Sequence, residues 1–178
     1  MPAIRLSLRR FTIRALSKTH LLVYRLSGGR LLARVAGMPV LLLKTTGRRS
    51  GEQRVTPLTF FEDGDDLAVV ASNGGSDRAP DWFLNLQQDP RAVVEIAEAE
   101  LPVTARTASP EERERLWKVI TASFAPYARY QTRTTRQIPV VILTVVRFPG
   151  DGDGGSRATE RAKRAHHPRS ADPRRRGR

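Results

Sequence analysis

Three apolar runs follow one another with only turn signals between them. They are residues 39–45 (PVLLLKT), 54–61 (RVTPLTFF) and 67–71 (LAVVA). The segments between them, 46–53 and 62–66, are too short for a helical crossover. Parallel neighbours need a connection of a dozen or more residues, so the runs read as antiparallel strands joined by hairpins. Residues 91–97 and 101–108 alternate polar and apolar and read as another hairpin, and 138–148 (IPVVILTVVRF) as a final buried strand. Pro57 inside the second run predicts a sheet edge or a bulge.

Helix signals fall between and around these strands. Residues 81–88 suit a short helix, opened after Pro80 and closed by Asp89-Pro90. Ser109-Pro110-Glu111-Glu112 combines a capping serine, a proline at the first helical position and a glutamate that closes a capping box. Leu116, Val119, Ile120 and Phe124 are the expected buried face of that helix. Residues 126–134 read as one more short helix. The sum is an α+β fold: about six mostly antiparallel strands, as a sheet or small barrel, with peripheral helices. A doubly wound parallel sheet is excluded.

Charge divides the chain. The total is 31 Lys+Arg against 18 Asp+Glu, a net of +13. Residues 1–30 hold seven of the cations and no acid. Residues 31–150 hold fifteen cations and fourteen acids, so the body is nearly neutral. Basicity that would suggest nucleic acid is confined to the ends, and no specific nucleic-acid partner is expected. Ile4, Leu8, Phe11, Ala15, Leu22 and Leu26 make residues 1–30 a basic amphipathic helix, ended by Gly28-Gly29. Such a helix packs on the domain or lies on an anionic membrane surface, and the two are compatible. Three domains follow: the helix at 1–30, the body at 31–149, and a disordered basic tail at 150–178 that begins with a Gly/Asp-rich linker.

The chemistry open to the body is narrow. There is no cysteine, which excludes disulfides and thiolates and fits a reducing cytosol. No apolar run reaches the roughly 20 residues of a membrane span. The three histidines, His20, His166 and His167, lie outside the body, which excludes a Ser-His-Asp arrangement there and makes a zinc site hard to build. Any redox chemistry must then come from an organic cofactor. Two glycine-containing turns draw notice. Gly47-Arg48-Arg49-Ser50-Gly51, with Thr46 and with Arg54 across the hairpin, would form a cationic, hydroxyl-rich anion site, aided by a nest of backbone N–H groups. Ser72-Asn73-Gly74-Gly75 ends another strand with small residues that let a flat ligand approach the backbone.

Residues 38–145 resemble the deazaflavin-dependent nitroreductase and F420H2-dependent quinone reductase family. The resemblance rests on TTGRRSG, ASNGG, the WFLNL helix and YARYQTRT, in that order. It implies a split β-barrel of the FMN-binding-like kind and the cofactor F420, an 8-hydroxy-5-deazaflavin with a phosphate and polyglutamate tail. The implied activity is hydride transfer to quinones or nitro compounds. Carried over by position, Arg48, Arg49, Ser50 and Arg54 would hold the anionic tail. Val55, Thr56, Pro57, Leu58 and Thr59 would line the cofactor, as would Val70, Ala71, Ser72 and Asn73 at the ring edge. Asp81, Trp82, Phe83, Leu84 and Asn85 would complete the pocket. Ser72, Tyr127 and Tyr130 are the implied catalytic residues, Tyr127 also touching the cofactor. Some relatives carry an aromatic at the Thr59 position and a lysine at the Asn73 position, so substrate preference does not transfer. FMN in the same fold, a cofactor-binding protein without turnover, and a membrane-surface module are the alternative readings. A cytoplasmic enzyme, peripheral on the inner face of the membrane, is the expected setting; the oligomeric state is left open.

Overall fold

The computed structural model describes residues 34–35, 38–96 and 99–146. The expected N-terminal helix, the tail and its linker lie outside the described residues. Among these residues seven strands form one sheet: β1 (Arg34–Val35), β2 (Met38–Thr46), β3 (Gln53–Asp63), β4 (Asp66–Val70), β5 (Arg91–Ile96), β6 (Ala99–Thr107) and β7 (Val140–Val145). Among the described residues three α-helices accompany them: α1 (Asp81–Gln88), α2 (Pro110–Ser123) and α3 (Pro126–Gln131). The short helix read over 126–134 thus stops at Gln131, and the last strand is confined to Val140–Val145. Among the described helices, none is long and apolar enough to cross a membrane.

The strand order is β1-β2-β3-β4-β7-β6-β5, and β5 pairs back onto β2. Leu42 opposite Glu95, Leu43 opposite Val94 and Lys44 opposite Val93 make that closing seam. Strands β2 to β7 therefore form a closed six-stranded barrel in which every described pairing is antiparallel. This is the split-barrel architecture the resemblance implies. Lys44 fastens the seam: its ammonium pairs with Glu95 at 2.7 Å and also with Glu100. Burial alone would lower the Lys44 pKa, but the two carboxylates raise it.

Burial patterns explain the layering. On β6 buried and exposed residues alternate, one side facing the barrel interior and the other water. Leu41, Leu42 and Leu43 of β2, residues 67–70 of β4 and residues 140–143 of β7 are buried on both faces. The outer faces of β4 and β7 contribute Ala68, Val70, Val140 and Ile142 to a second core with Leu116 and Ile120 of α2 and Tyr127 of α3. Ser109 caps α2, with Glu112 returning the bond to the Ser109 N–H as the sequence predicts. A cap is worth ~1 kcal/mol. Truncating Leu116 or Ile120 costs roughly 2–5 kcal/mol, so packing decides where α2 sits.

Val119 corrects the sequence reading. It is 53% exposed rather than buried. The inward side of α2 runs through Arg113, Leu116, Trp117 and Ile120 to Phe124, and Val119 falls off that line at 100° per residue. Arg113 takes the place expected of an apolar residue. Its guanidinium lies 4.6 Å from the Trp117 ring centre, donates to Ile138 O at 2.9 Å and reaches Gln131 Oε1 at 3.2 Å.

Candidate functional site

The site is built on an unpaired length of strand. β3 pairs with β2 from Gln53 to Thr59, but with β4 only from Phe60 to Asp63. Among the described residues, the second edge of 53–59 has no strand partner. Pro57 sits in that stretch, as a residue that cannot donate to a ladder must. Val55, Thr56, Pro57, Leu58 and Thr59 are all half-buried. From Arg54 to Thr59 this open edge runs about 17 Å at strand rise.

At its start lies the turn at 47–51. Gly51 adopts a left-handed φ of +69°, which glycine adopts without strain. The turn satisfies its own backbone. Gly47 N donates to Glu52 O at 2.8 Å, while Ser50 N and Gly51 N both donate to Gly47 O. Arg48 N donates to Asn85 Oδ1 at 3.2 Å. The nest of outward N–H groups expected from the sequence is therefore not formed, because these donors turn inward to close the hairpin.

The two central arginines have different surroundings. The Arg48 guanidinium donates to Asn85 Oδ1 at 3.1 Å and pairs with Asp81 at 3.2 Å. The Arg78 guanidinium meets the same Asp81 oxygen at 3.0 Å. Burial alone would raise the Asp81 carboxyl, but Arg48 and Arg78 hold it below the usual carboxylate range. Arg48 thus docks the start of α1 onto the turn. Arg49 is exposed and, among the described residues, has no hydrogen-bond or ion-pair partner. Arg54, opposite Thr45 across the hairpin, is in contact with Ser50 Oγ at 3.3 Å and Glu52 at 2.6 Å.

Helix α1 gives a mixed result. Trp82 and Phe83 are buried and meet edge to face at 6.1 Å, and Leu84 is half-buried. Asn85 is expected at the cofactor, but it is only 4% exposed and its amide is committed. Its oxygen accepts twice from Arg48 and its nitrogen donates to Thr45 Oγ1 at 3.2 Å. Asn85 is a docking residue for α1.

At the other end of the edge, Val70 and Ala71 lead into the loop at 71–76. Asn73, Gly74 and Gly75 all have positive φ. A Cβ on Gly75 would lie 2.6 Å from Tyr130 O, so that glycine admits α3 rather than a ligand. Gly74 has nothing within 4 Å of its Cβ position and keeps the open side. Ser72 is buried, and among the described residues its hydroxyl has no hydrogen-bond partner. A buried hydroxyl left this way is costly unless something else meets it.

The tyrosines stand at the same end. Tyr127 Oη and Thr59 Oγ1 share a hydrogen bond of 2.7 Å. Burial pushes the Tyr127 phenol up from its ordinary value, outweighing the lowering effect of that bond. Phe61, Phe124 and Tyr130 meet the Tyr127 ring edge to face at 6.2, 5.3 and 5.9 Å. Tyr130 is half-buried, with the Arg133 guanidinium 5.6 Å from its ring centre.

Sequence reasoning missed two residues of this neighbourhood. Gln131 accepts from Arg113 and Ile138 N and donates to Arg136 O, tying α3 to the entry of β7. Arg136 reaches back to the loop at 71–76, whose residues precede it by 60 to 65 positions. No local pattern marks a pairing at that separation.

Comparison with known proteins fits this geometry. A family model described as F420H(2)-dependent quinone reductase matches residues 16–145. A Mycobacterium tuberculosis protein named F420H(2)-dependent quinone reductase is 40% identical over 133 residues, covering 72% of this chain and 89% of that one. A solved F420-H2 dependent reductase is similar at 42% identity and a TM-score of 0.55, over 59% of this chain and 93% of the other. A second solved chain, described as a domain-swapped dimer, is similar at 34% identity and a TM-score of 0.55, over 79% of this chain and 99% of the other.

Proposed function

This chain belongs to the F420H(2)-dependent quinone reductase family, and on that premise we propose that it passes hydride from reduced coenzyme F420 to a quinone. It is an F420-dependent oxidoreductase. The observation that carries the acceptor reading is the aromatic cluster around Tyr127, where the half-buried Tyr130 and Phe124 offer apolar ring surface beside a hydroxyl pair. That surface suits a planar ring with polar oxygens.

The residues fit the cofactor. The buried Ser72 hydroxyl, the half-buried edge at 55–59 and Gly74 would hold the ring end. Arg49 and Arg54, with Ser50, would hold the phosphate and glutamates of the tail as charged donors. Reduced F420, when bound, supplies the hydride. The protein's share is positioning: a fixed strand edge, water kept out by Trp82, Phe83 and the Tyr127 cluster, and an acceptor held at a set distance. A tyrosine is protonated at neutral pH in any case, and burial pushes the Tyr127 phenol further up. A tyrosine phenol of this cluster would serve as a hydrogen-bond donor to the acceptor oxygen as it gains charge.

The test uses the full 178-residue chain with reduced F420 and a quinone, with nitro compounds as a second acceptor and FMN as a rival cofactor. Oxidation of F420 by the quinone is the expected result. Turnover with nitro compounds alone would overturn the acceptor assignment. A lipid-soluble acceptor also suits the seven cations and no acid of residues 1–30, and the proposal extends to peripheral binding at an anionic membrane. Co-sedimentation with anionic but not neutral lipid vesicles is expected; equal recovery from both would remove the membrane from the proposal.

A further inference from the structure

Arg136 is a half-buried cation with no acid at salt-bridge distance among the described residues. Its guanidinium is spent on backbone oxygens. Nε donates to Ser76 O at 2.8 Å, and one terminal nitrogen donates to Ala71 O at 3.0 Å and Ser72 O at 2.9 Å. Those carbonyls bracket the run of left-handed residues Asn73, Gly74 and Gly75. The arginine is itself held: Gln131 donates to Arg136 O at 2.9 Å, and Arg136 N donates to Thr134 Oγ1 at 3.3 Å. Thr134 in turn donates to Asp77 at 2.7 Å.

Two facts about this loop belong together. Its carbonyls are gathered by one planar fork, and its Ser72 hydroxyl is buried without a partner among the described residues. We propose that Arg136 is a positioning residue for the reaction, fixing the backbone at 71–76 so that the Ser72 hydroxyl is presented to the cofactor ring. The assignment rests on the F420 reading above. A lysine keeps the charge but, as a single ammonium, lacks the fork that spans carbonyls of residues 71, 72 and 76. The loop then loses its fixed geometry, although the cation remains.

The experiment is a double-mutant cycle in the full chain, with oxidised F420 as the titrant. Ser72→Ala weakens binding about tenfold, and Arg136→Lys does the same. The double variant is no weaker than either single, because both act through one contact. Fully additive losses, or an Arg136→Lys protein that loses thermal stability but binds F420 normally, overturn the assignment. A second measurement needs no variant. On titration of the native chain with F420, the Arg136 Nε–H resonance shifts while that of Arg113, engaged elsewhere on Ile138 and Gln131, stays in place. A static Arg136 resonance in a chain that binds F420 rejects the role. A native chain that does not bind F420 rejects the functional reading on which the role depends, which distinguishes the two failures.

Discussion

The turn at 47–51 and the loop at 71–76 stand at opposite ends of one open strand edge and are built in opposite ways. The first satisfies its own backbone and projects charge outward: its N–H groups close on Gly47 O, Glu52 O and Asn85, and Arg49 is unpaired among the described residues. The second leaves its carbonyls to a cation from a distant segment and keeps a hydroxyl that has no partner among the described residues. One end offers side-chain charge to an anion. The other offers a backbone surface, braced from behind, to a ring. A ligand with a charged tail and a flat head needs both.

The largest test of that contrast is a pair of glycines. Gly75→Ala combines a φ of +80° with a 2.6 Å clash against Tyr130 O, and should cost roughly 2–5 kcal/mol. Gly51→Ala has a φ of +69° and open space, and should cost about 1 kcal/mol. Chemical denaturation of both variants checks the difference; equal losses would mean the loop is not braced by α3. Next in size is Thr59→Val, which leaves the buried Tyr127 hydroxyl without its partner. A loss of about 1–2 kcal/mol is expected, with turnover falling more than F420 affinity. An unchanged turnover would take the pair out of the site.

The arginines make a smaller and sharper test. Arg48→Ala should destabilise by about 1 kcal/mol, since it takes one guanidinium from the half-exposed Asp81, which keeps Arg78, and the side-chain bond from the Asn85 oxygen, which keeps the backbone one. Arg49→Ala should stay within about 0.5 kcal/mol. Thermal melts that reverse this order would exchange their roles.

Acid gives the smallest test. The Asp81 pKa is depressed in the fold, so its contribution is present above the unfolded value and is lost as pH falls through the folded one. Glu112, paired with Arg106 and with the Ser109 N–H, is held at about 2 against an ordinary 4.5, so the α2 cap weakens only across that interval. The bonds of Arg136 to carbonyls do not titrate. Amide signals at the start of α2 should therefore stay in place until that acid interval is reached, as NMR at stepped pH would show.

Much of this was legible in the sequence, because strands and caps are local. Residues 81–88 mark α1 at both ends through Pro80 and Asp89-Pro90, and the capping box of Ser109 and Glu112 is a four-residue pattern. Pro57 predicts an edge or a bulge, and the edge is what the structure has. The closure of β5 onto β2 was left open between sheet and barrel, since its seam joins residues about fifty apart and depends on Lys44 finding Glu95 and Glu100. Val119 failed because an apolar residue beside a helix stripe looks like one within it. The division of labour between Arg48 and Arg49 was also hidden, since it depends on where Asp81 and Asn85 lie in space.

The central claim is that the two ends of the edge read different parts of one cofactor. The most direct measurement compares F420 with a deazaflavin lacking the phosphate and glutamate tail, each titrated into the native chain and into Arg49→Ala. The account predicts that Arg49→Ala weakens F420 binding by about tenfold, consistent with loss of a charged hydrogen bond, and leaves the tail-less ligand unaffected. Equal weakening for both ligands, or none for F420, would contradict it.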